Sequence, residues 1–151
     1  MVMSSLLQEK LQRMSETKRL DGYKASLAAF ELGAVVATDE FPPALQSVRA
    51  RANRMNRPSQ SVLPHEAGRT RALAWTREMF LASGIGTEQF YLATPFMYFP
   101  WIECKPIGAA WVENLETVYD LDFRVISHDK TILLSVDNEE YEWNAYWSHI
   151  E

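Results

Sequence analysis

The sequence predicts an α+β fold in which about four N-terminal helices pack on one face of a C-terminal antiparallel sheet of four to six strands. Two observations lead there. Apolar residues recur at helical spacing through residues 1–84, and after Gly86 the period changes to two in segments rich in aromatic and β-branched side chains. A chain of 151 residues fits one domain, 1–151, and buries about 70% of its unfolded surface. The 47% apolar content and five tryptophans are those of a globular protein rather than a disordered one.

The elements follow in order. Ser5 and Gln8 form a capping box before Leu7, Leu11 and Met14, which predicts a helix over about 6–19 with one apolar stripe turned to the core. Asp21 caps a second helix, striped by Tyr23, Leu27, Phe30 and Ala34 through ASLAAFELGAVVA, where Gly33 is a modest weakness. Pro42 and Pro43 suit the start of a third, running to about Asn56 with Leu45, Val48, Ala52 and Met55 on one side. RPSQSVLP (57–64) reads as a loop. A fourth helix, about 66–83, aligns Ala72, Trp75, Met79 and Ala82 and stops at Gly84.

QFYLAT, FMYFPWIEC and AAWVEN read as short strands, kept short or at an edge by Pro95, Pro100 and Pro106. Two hairpins then close the chain: VYDLDFRVI (118–126), TILLSV (131–136) and YEWNAYW (141–147), joined by SHDK and DNEE. Tyr119, Leu121, Phe123 and Val125 alternate with Asp120, Asp122 and Arg124, and Ile132, Leu134 and Val136 with Leu133 and Ser135. Tyr141, Trp143, Ala145 and Trp147 alternate with Glu142, Asn144 and Tyr146. Such alternation predicts one packed face and one wet face. A slip of one residue would bury carboxylates, so the register is well specified.

Nothing at the N-terminus pairs a basic segment with an unbroken apolar stretch, and no apolar run approaches the roughly 20 residues of a membrane span. A cytoplasmic setting is the expectation, and the lone Cys104, which cannot form an internal disulfide, agrees with it. The net charge of −5 hides an asymmetry. Residues 41–80 hold seven arginines against Glu66 and Glu78, a balance of +5, whereas residues 101–151 hold three cations against eleven carboxylates, a balance of −8.

Catalytic and cofactor patterns are incomplete. His65-Glu66 is followed by Ala67, Gly68 and Arg69, so the second histidine of a zinc-protease helix is missing. Gly84-Ile85-Gly86 lacks the third glycine of a dinucleotide loop and reads as a helix stop. Cys104 would be a nucleophile if His65, His128 or His149 came near it, but it sits in an apolar strand pattern, where a cysteine is a small hydrophobe. The histidines and cysteine have no metal-ligand spacing, so neither metal nor cofactor is expected. Asp120 and Asp122 at i, i+2 are commonly only solvated. Arg51, Arg54 and Arg57 step along one side of the third helix, a pattern that contacts phosphates or, more in keeping with a negative net charge, pairs with the acidic half.

The acidic face of the closing hairpins is the feature retained. Asp120, Asp122, Glu140 and Glu142, with Asn144 and Tyr146 beside them, are the candidate partner-binding residues. Clustered carboxylates draw in a cationic partner and a tyrosine anchors it, while the plainer alternative is a solubilising face that guards an edge strand.

The stretch DFRVISHDKTILLSVDNEEYEWNAYW resembles the C-terminal hairpins of small cytoplasmic immunity proteins, which bacteria make against their own secreted or contact-delivered toxins. The resemblance covers the last two hairpins by general character, and no functional residue is carried over from it. It implies an acidic α+β domain that binds a basic toxin domain so that substrate is excluded. Two other readings stand beside it: a small enzyme with a pocket between helices and sheet, with Cys104 as nucleophile, and an adaptor whose basic helix binds nucleic acid.

Overall fold

The computed structural model describes residues 5–43, 45 and 59–150. These form three helices and a seven-stranded antiparallel sheet, in place of about four helices and four to six strands. In chain order they are α1 (Ser5–Ser26), β1 (Phe30–Val36), β2 (Ser61–Pro64), α2 (Arg69–Ala82), β3 (Phe90–Ala93), β4 (Trp101–Pro106), α3 (Trp111–Tyr119), β5 (Phe123–Ser127), β6 (Ile132–Asn138) and β7 (Glu142–His149). The sheet order is β1-β4-β3-β5-β6-β7-β2. Among the described residues, no helix is long and apolar enough to cross a membrane.

One face of the sheet carries the larger core. Register places Phe90 opposite Cys104, Leu92 opposite Val125, Val125 opposite Leu134 and Val136 opposite Ala145, so these side chains share a face. Onto it α2 sets Trp75, Met79 and Phe80, and α3 sets Trp111, Val112 and Leu115. Phe80 lies at the centre: its ring meets those of Phe90, Trp111 and Phe123 at centroid distances of 4.9, 5.0 and 5.7 Å.

The other face is not simply wet. Val36, Phe41, Leu45, Tyr91, Trp101, Ile126, Leu133 and Ile150 form a second buried cluster there. Leu133, which the alternation left on the polar side, was the sequence signal for it. A sheet packed on both sides blurs alternation, because neither face is free to be polar.

Several expected elements differ. α1 is one helix through Ser26, and FELGAVV, expected to be helical, is strand β1, whose bulge lies between Leu32 and Val35. β-branched Val35 and Val36 and pairing with β4 outweigh the helical spacing. The third expected helix falls outside the described residues except at Pro43 and Leu45. SVLP is a strand rather than a loop, paired with β7, and its Pro64 is tolerated because β2 is an edge. AAWVEN, expected as a strand, is instead a turn whose Ala110 caps α3 and whose WVEN opens it. The apolar residues Trp111, Leu115 and Val118 follow helical spacing, and residues 118–122 are that helix's end and the turn after it.

α1 departs furthest from expectation. The Leu7, Leu11 and Met14 stripe does not face the core: these residues are 45%, 48% and 51% exposed, and the helix buries Glu16 and Leu20 instead.

Candidate functional site

Asp120 and Asp122 lie not within a strand but in the turn between α3 and β5. Asp120 ends the helix in the left-handed conformation at φ 56°, and Leu121 follows at φ 54°. A left-handed leucine is strained. It is held because its side chain is only 1% exposed within the larger core, and because Asn138 on β6 grips the turn. The Asn138 Nδ2 group donates to the Asp120 carbonyl at 2.8 Å, and the Asn138 backbone N–H donates to Asp122 Oδ2 at 3.0 Å.

The network extends across three strands. Arg124 on β5 pairs with Asp122 at 3.1 Å and with Asp137 on β6 at 2.8 Å. Ser135 Oγ donates to Asp137 at 3.1 Å. Since the Asn138 amide nitrogen is committed to Asp120, its oxygen faces His65 Nε2 at 2.9 Å, which must then carry the proton. The His65 ring packs against Trp143 at 4.3 Å between centroids. His65 thus locks β2 to the β6–β7 hairpin, a structural task that its pairing with Glu66 in sequence did not suggest.

Beyond this locked layer stands the hairpin tip. Glu139, Glu140 and Tyr141 are exposed, Tyr141 by 77%, and Glu142 is half-buried at the start of β7. Among the described residues, the side chains of Glu139, Glu140 and Tyr141 make no ion pair, and Arg124 is the cation paired within the cluster. Asp120, Asp122, Glu140 and Glu142 therefore come together at one end of the sheet, joined by Asp137 and Glu139.

Asn144 and Tyr146 do not present themselves outward as expected. They are 4% and 9% exposed, on the sheet face that also holds Ser135, and Asn144 Oδ1 accepts a hydrogen bond from Ser59 Oγ at 3.1 Å. The aromatic at the acidic end is Tyr141, which alternation had assigned to the core. The signal for it was the adjacent DNEE: the two residues before Tyr141 are turn residues, and a side chain at a turn need not obey the strand's alternation.

The other candidate chemistries fare differently. Cys104 is fully buried, its thiol donates to the Ile102 carbonyl at 3.4 Å, and burial pushes it up to about 12, the opposite of an activated nucleophile. His128 lies on the other sheet face, stacked on Tyr91 and 3.5 Å from Glu103. It borders a cleft of about 500 Å³ together with Gly86, Glu88 and Asp129. Ser127, although next to His128, is spent on structure: Oγ donates to Asp129 and accepts from the N–H groups of Thr131 and Ile132. Bonds from Ser127 and Thr131 hold the Asp129 carboxyl below the usual range. No group of three metal-binding side chains occurs among the described residues.

Arg51, Arg54 and Arg57 lie outside the described residues. On α2, Arg69 pairs with Glu116 at 2.8 Å, Arg71 with Glu78 at 3.1 Å, and Arg77 rests over Trp111. These described arginines are engaged within the fold, each against an acid or a ring. No protein-family model, curated protein or solved structure matches this chain.

Proposed function

We propose that this chain is a non-enzymatic protein-binding domain, an immunity protein that neutralises a bacterial toxin by seating the acidic end of its sheet in a cationic active site. The observation that supports this reading is the split within that end. An inner layer of Asp122, Arg124, Asp137, Asn138 and His65 is bonded and fixed, while Glu139, Glu140 and Tyr141 project from it uncommitted. A rigid base carrying free carboxylates and one exposed aromatic is the arrangement that binds with small entropic loss. A nuclease active site, which must attract phosphate, is the partner chemistry that matches it. Cys104, the nucleophile of the enzymatic reading, is fully buried, and burial raises its thiol away from the thiolate form that attack needs.

The test is inhibition of a panel of purified cationic nuclease domains by the wild-type chain and by the triple variant Glu139→Lys, Glu140→Lys, Tyr141→Ala. At least one enzyme should be inhibited, with affinity falling as salt rises, and the variant should bind it at least about 100-fold more weakly, the scale of a lost anchor with its flanking charges. Equal inhibition by both proteins would leave the acidic end as a solvated surface only.

A further inference from the structure

The outward stripe of α1 has a definite shape. With 3.6 residues per turn, Leu7, Leu11 and Met14 fall within an arc of about 60°, roughly opposite Glu16, Leu20 and Tyr23, which attach the helix to the protein. Spacings of four and then three are those of a heptad seam, and Lys18 and then Asp21 continue it. Lys10 and Thr17 flank the seam on one side, where a shallow groove of about 550 Å³ runs along Lys10, Arg13, Met14, Thr17 and Lys18. Leu6, 76% exposed, lies beyond that flank.

We propose that this seam docks an amphipathic helix of a partner protein, with leucine-type residues along its own seam and carboxylates on its flanks. The pattern argues for a helix: a helix lying in a bilayer presents an unbroken apolar arc of about 100° or more, whereas here Lys10 stands between Leu6 and Met14 and Lys18 stands in the line itself. The charge argues for acidity. Lys10 and Lys18 make no ion pair among the described residues, and no carboxylate borders the line between Leu7 and Met14. A second copy of this chain would bring Lys10, Arg13 and Lys18 to the same groove, with Asp21 as the carboxylate on the line to meet them, so a partner with carboxylates along both flanks fits better than a self-dimer. This surface is separate from the acidic end of the sheet, and its fate does not depend on that reading.

The probe is a synthetic heptad-repeat peptide with leucine at the seam and glutamate on both flanks, labelled with fluorescein, and a matching peptide with lysine flanks. Fluorescence anisotropy with the full chain should show the glutamate peptide binding at least about tenfold more tightly. Leu11→Ser with Met14→Ser should weaken it by about tenfold or more, with the urea unfolding curve unchanged, and Lys10→Glu with Lys18→Glu should turn the preference toward the lysine peptide. Equal binding of both peptides, or full binding by the double-serine variant, overturns the proposal. So does binding to phosphatidylserine vesicles without binding to either peptide, which assigns the seam to lipid, or a dimer in sedimentation equilibrium that Leu11→Ser dissociates, which assigns it to a second copy.

Discussion

α1 and α2 both carry apolar residues at helical spacing, yet α2 turns its stripe inward and α1 turns its stripe out. α2 buries Ala72, Trp75, Thr76, Met79 and Phe80 against the sheet, with Phe80 fully enclosed among aromatic rings. α1 buries Glu16 and Leu20. Its attachment is polar. The Glu16 carboxylate accepts from Gln12 Nε2 and from the Tyr98 backbone N–H, both at 2.8 Å, and Tyr23 bonds the hydroxyl of Tyr119 at the end of α3. Periodicity therefore identifies a helix and its stripe, but whichever side finds partners decides what faces the protein.

The contrast breaks most sharply at Phe80. Phe80→Ala removes the ring shared by α2, α3 and the sheet, and should cost about 3–5 kcal/mol in urea denaturation. A loss below about 1 kcal/mol would mean that α2 is not held by this core.

Glu16→Ala should cost less, about 1–3 kcal/mol, because it removes the bonds that a buried carboxylate accepts from Gln12 and the Tyr98 N–H rather than opening a large cavity. Its effect should also be local, with amide exchange accelerating in the first half of α1 while α2 keeps its protection. Burial alone would raise the Glu16 carboxyl, but the bonds from Gln12 and from the Tyr98 and Met97 N–H groups, with Arg19 nearby, bring it below its ordinary value of 4.5. A carboxyl lowered in the folded state contributes its stability in full above the unfolded value and loses it as pH falls through the folded one. Protection of α1 should thus fall on acidification below about pH 4.5 in wild type, and Glu16→Ala should lose that component. Equal protection of α1 and α2 in the variant would remove Glu16 as the anchor.

Tyr23→Phe is a finer probe of the same attachment. Burial pushes the Tyr23 hydroxyl up to about 12 and Tyr119 higher still, so both are protonated at neutral pH and share the Ala93 carbonyl as acceptor. Removing one hydroxyl should cost about 0.5–1.5 kcal/mol, measured by thermal unfolding. No loss at all would show that α1 is held by Glu16 and packing without this pair.

How much of this was legible follows from the kind of signal each region carries. α2, β6 and β7 were placed correctly as elements because their apolar spacing is regular, and Trp75 and Met79 meet Val136 and Ala145 in one core. The wet face expected of β6 and β7 is instead buried at Leu133, Ser135, Asn144 and Tyr146, because the sheet is packed on both sides. β1 and α3 were misread because short apolar segments fit either period, and their state is settled by partners distant in sequence, β4 for Phe30–Val36 and α2 for Trp111 and Val112. At the acidic end, the residues were legible and their orientations were not. Asp120 and Asp122 were found as neighbours, but their place in a left-handed turn depends on Asn138, and the exchange of Tyr146 for Tyr141 as the exposed aromatic depends on where β7 begins. His65 was weighed as a metal ligand, and nothing local pointed to its bond with Asn138, which lies 73 residues away.

The smallest expected effect is the one that separates the two helices most cleanly. Leu11→Ser in a core-facing stripe would remove an apolar side chain from a packed site and cost about 2–5 kcal/mol by analogy with other large-to-small changes. In α1 the same side chain already lies half in water, so serine gives up little burial and costs only its lower helix propensity, a few tenths of a kcal/mol. The unfolding midpoint should therefore stay within the range of other surface substitutions, and protection of α1 should persist because Glu16 and Tyr23 are untouched. A loss above about 2 kcal/mol would place Leu11 in a packed site after all, and α1 would then be a core helix of the same kind as α2. Stability unchanged, together with loss of the glutamate-peptide affinity, would mean that leucine at this position serves contact with another molecule and not the fold.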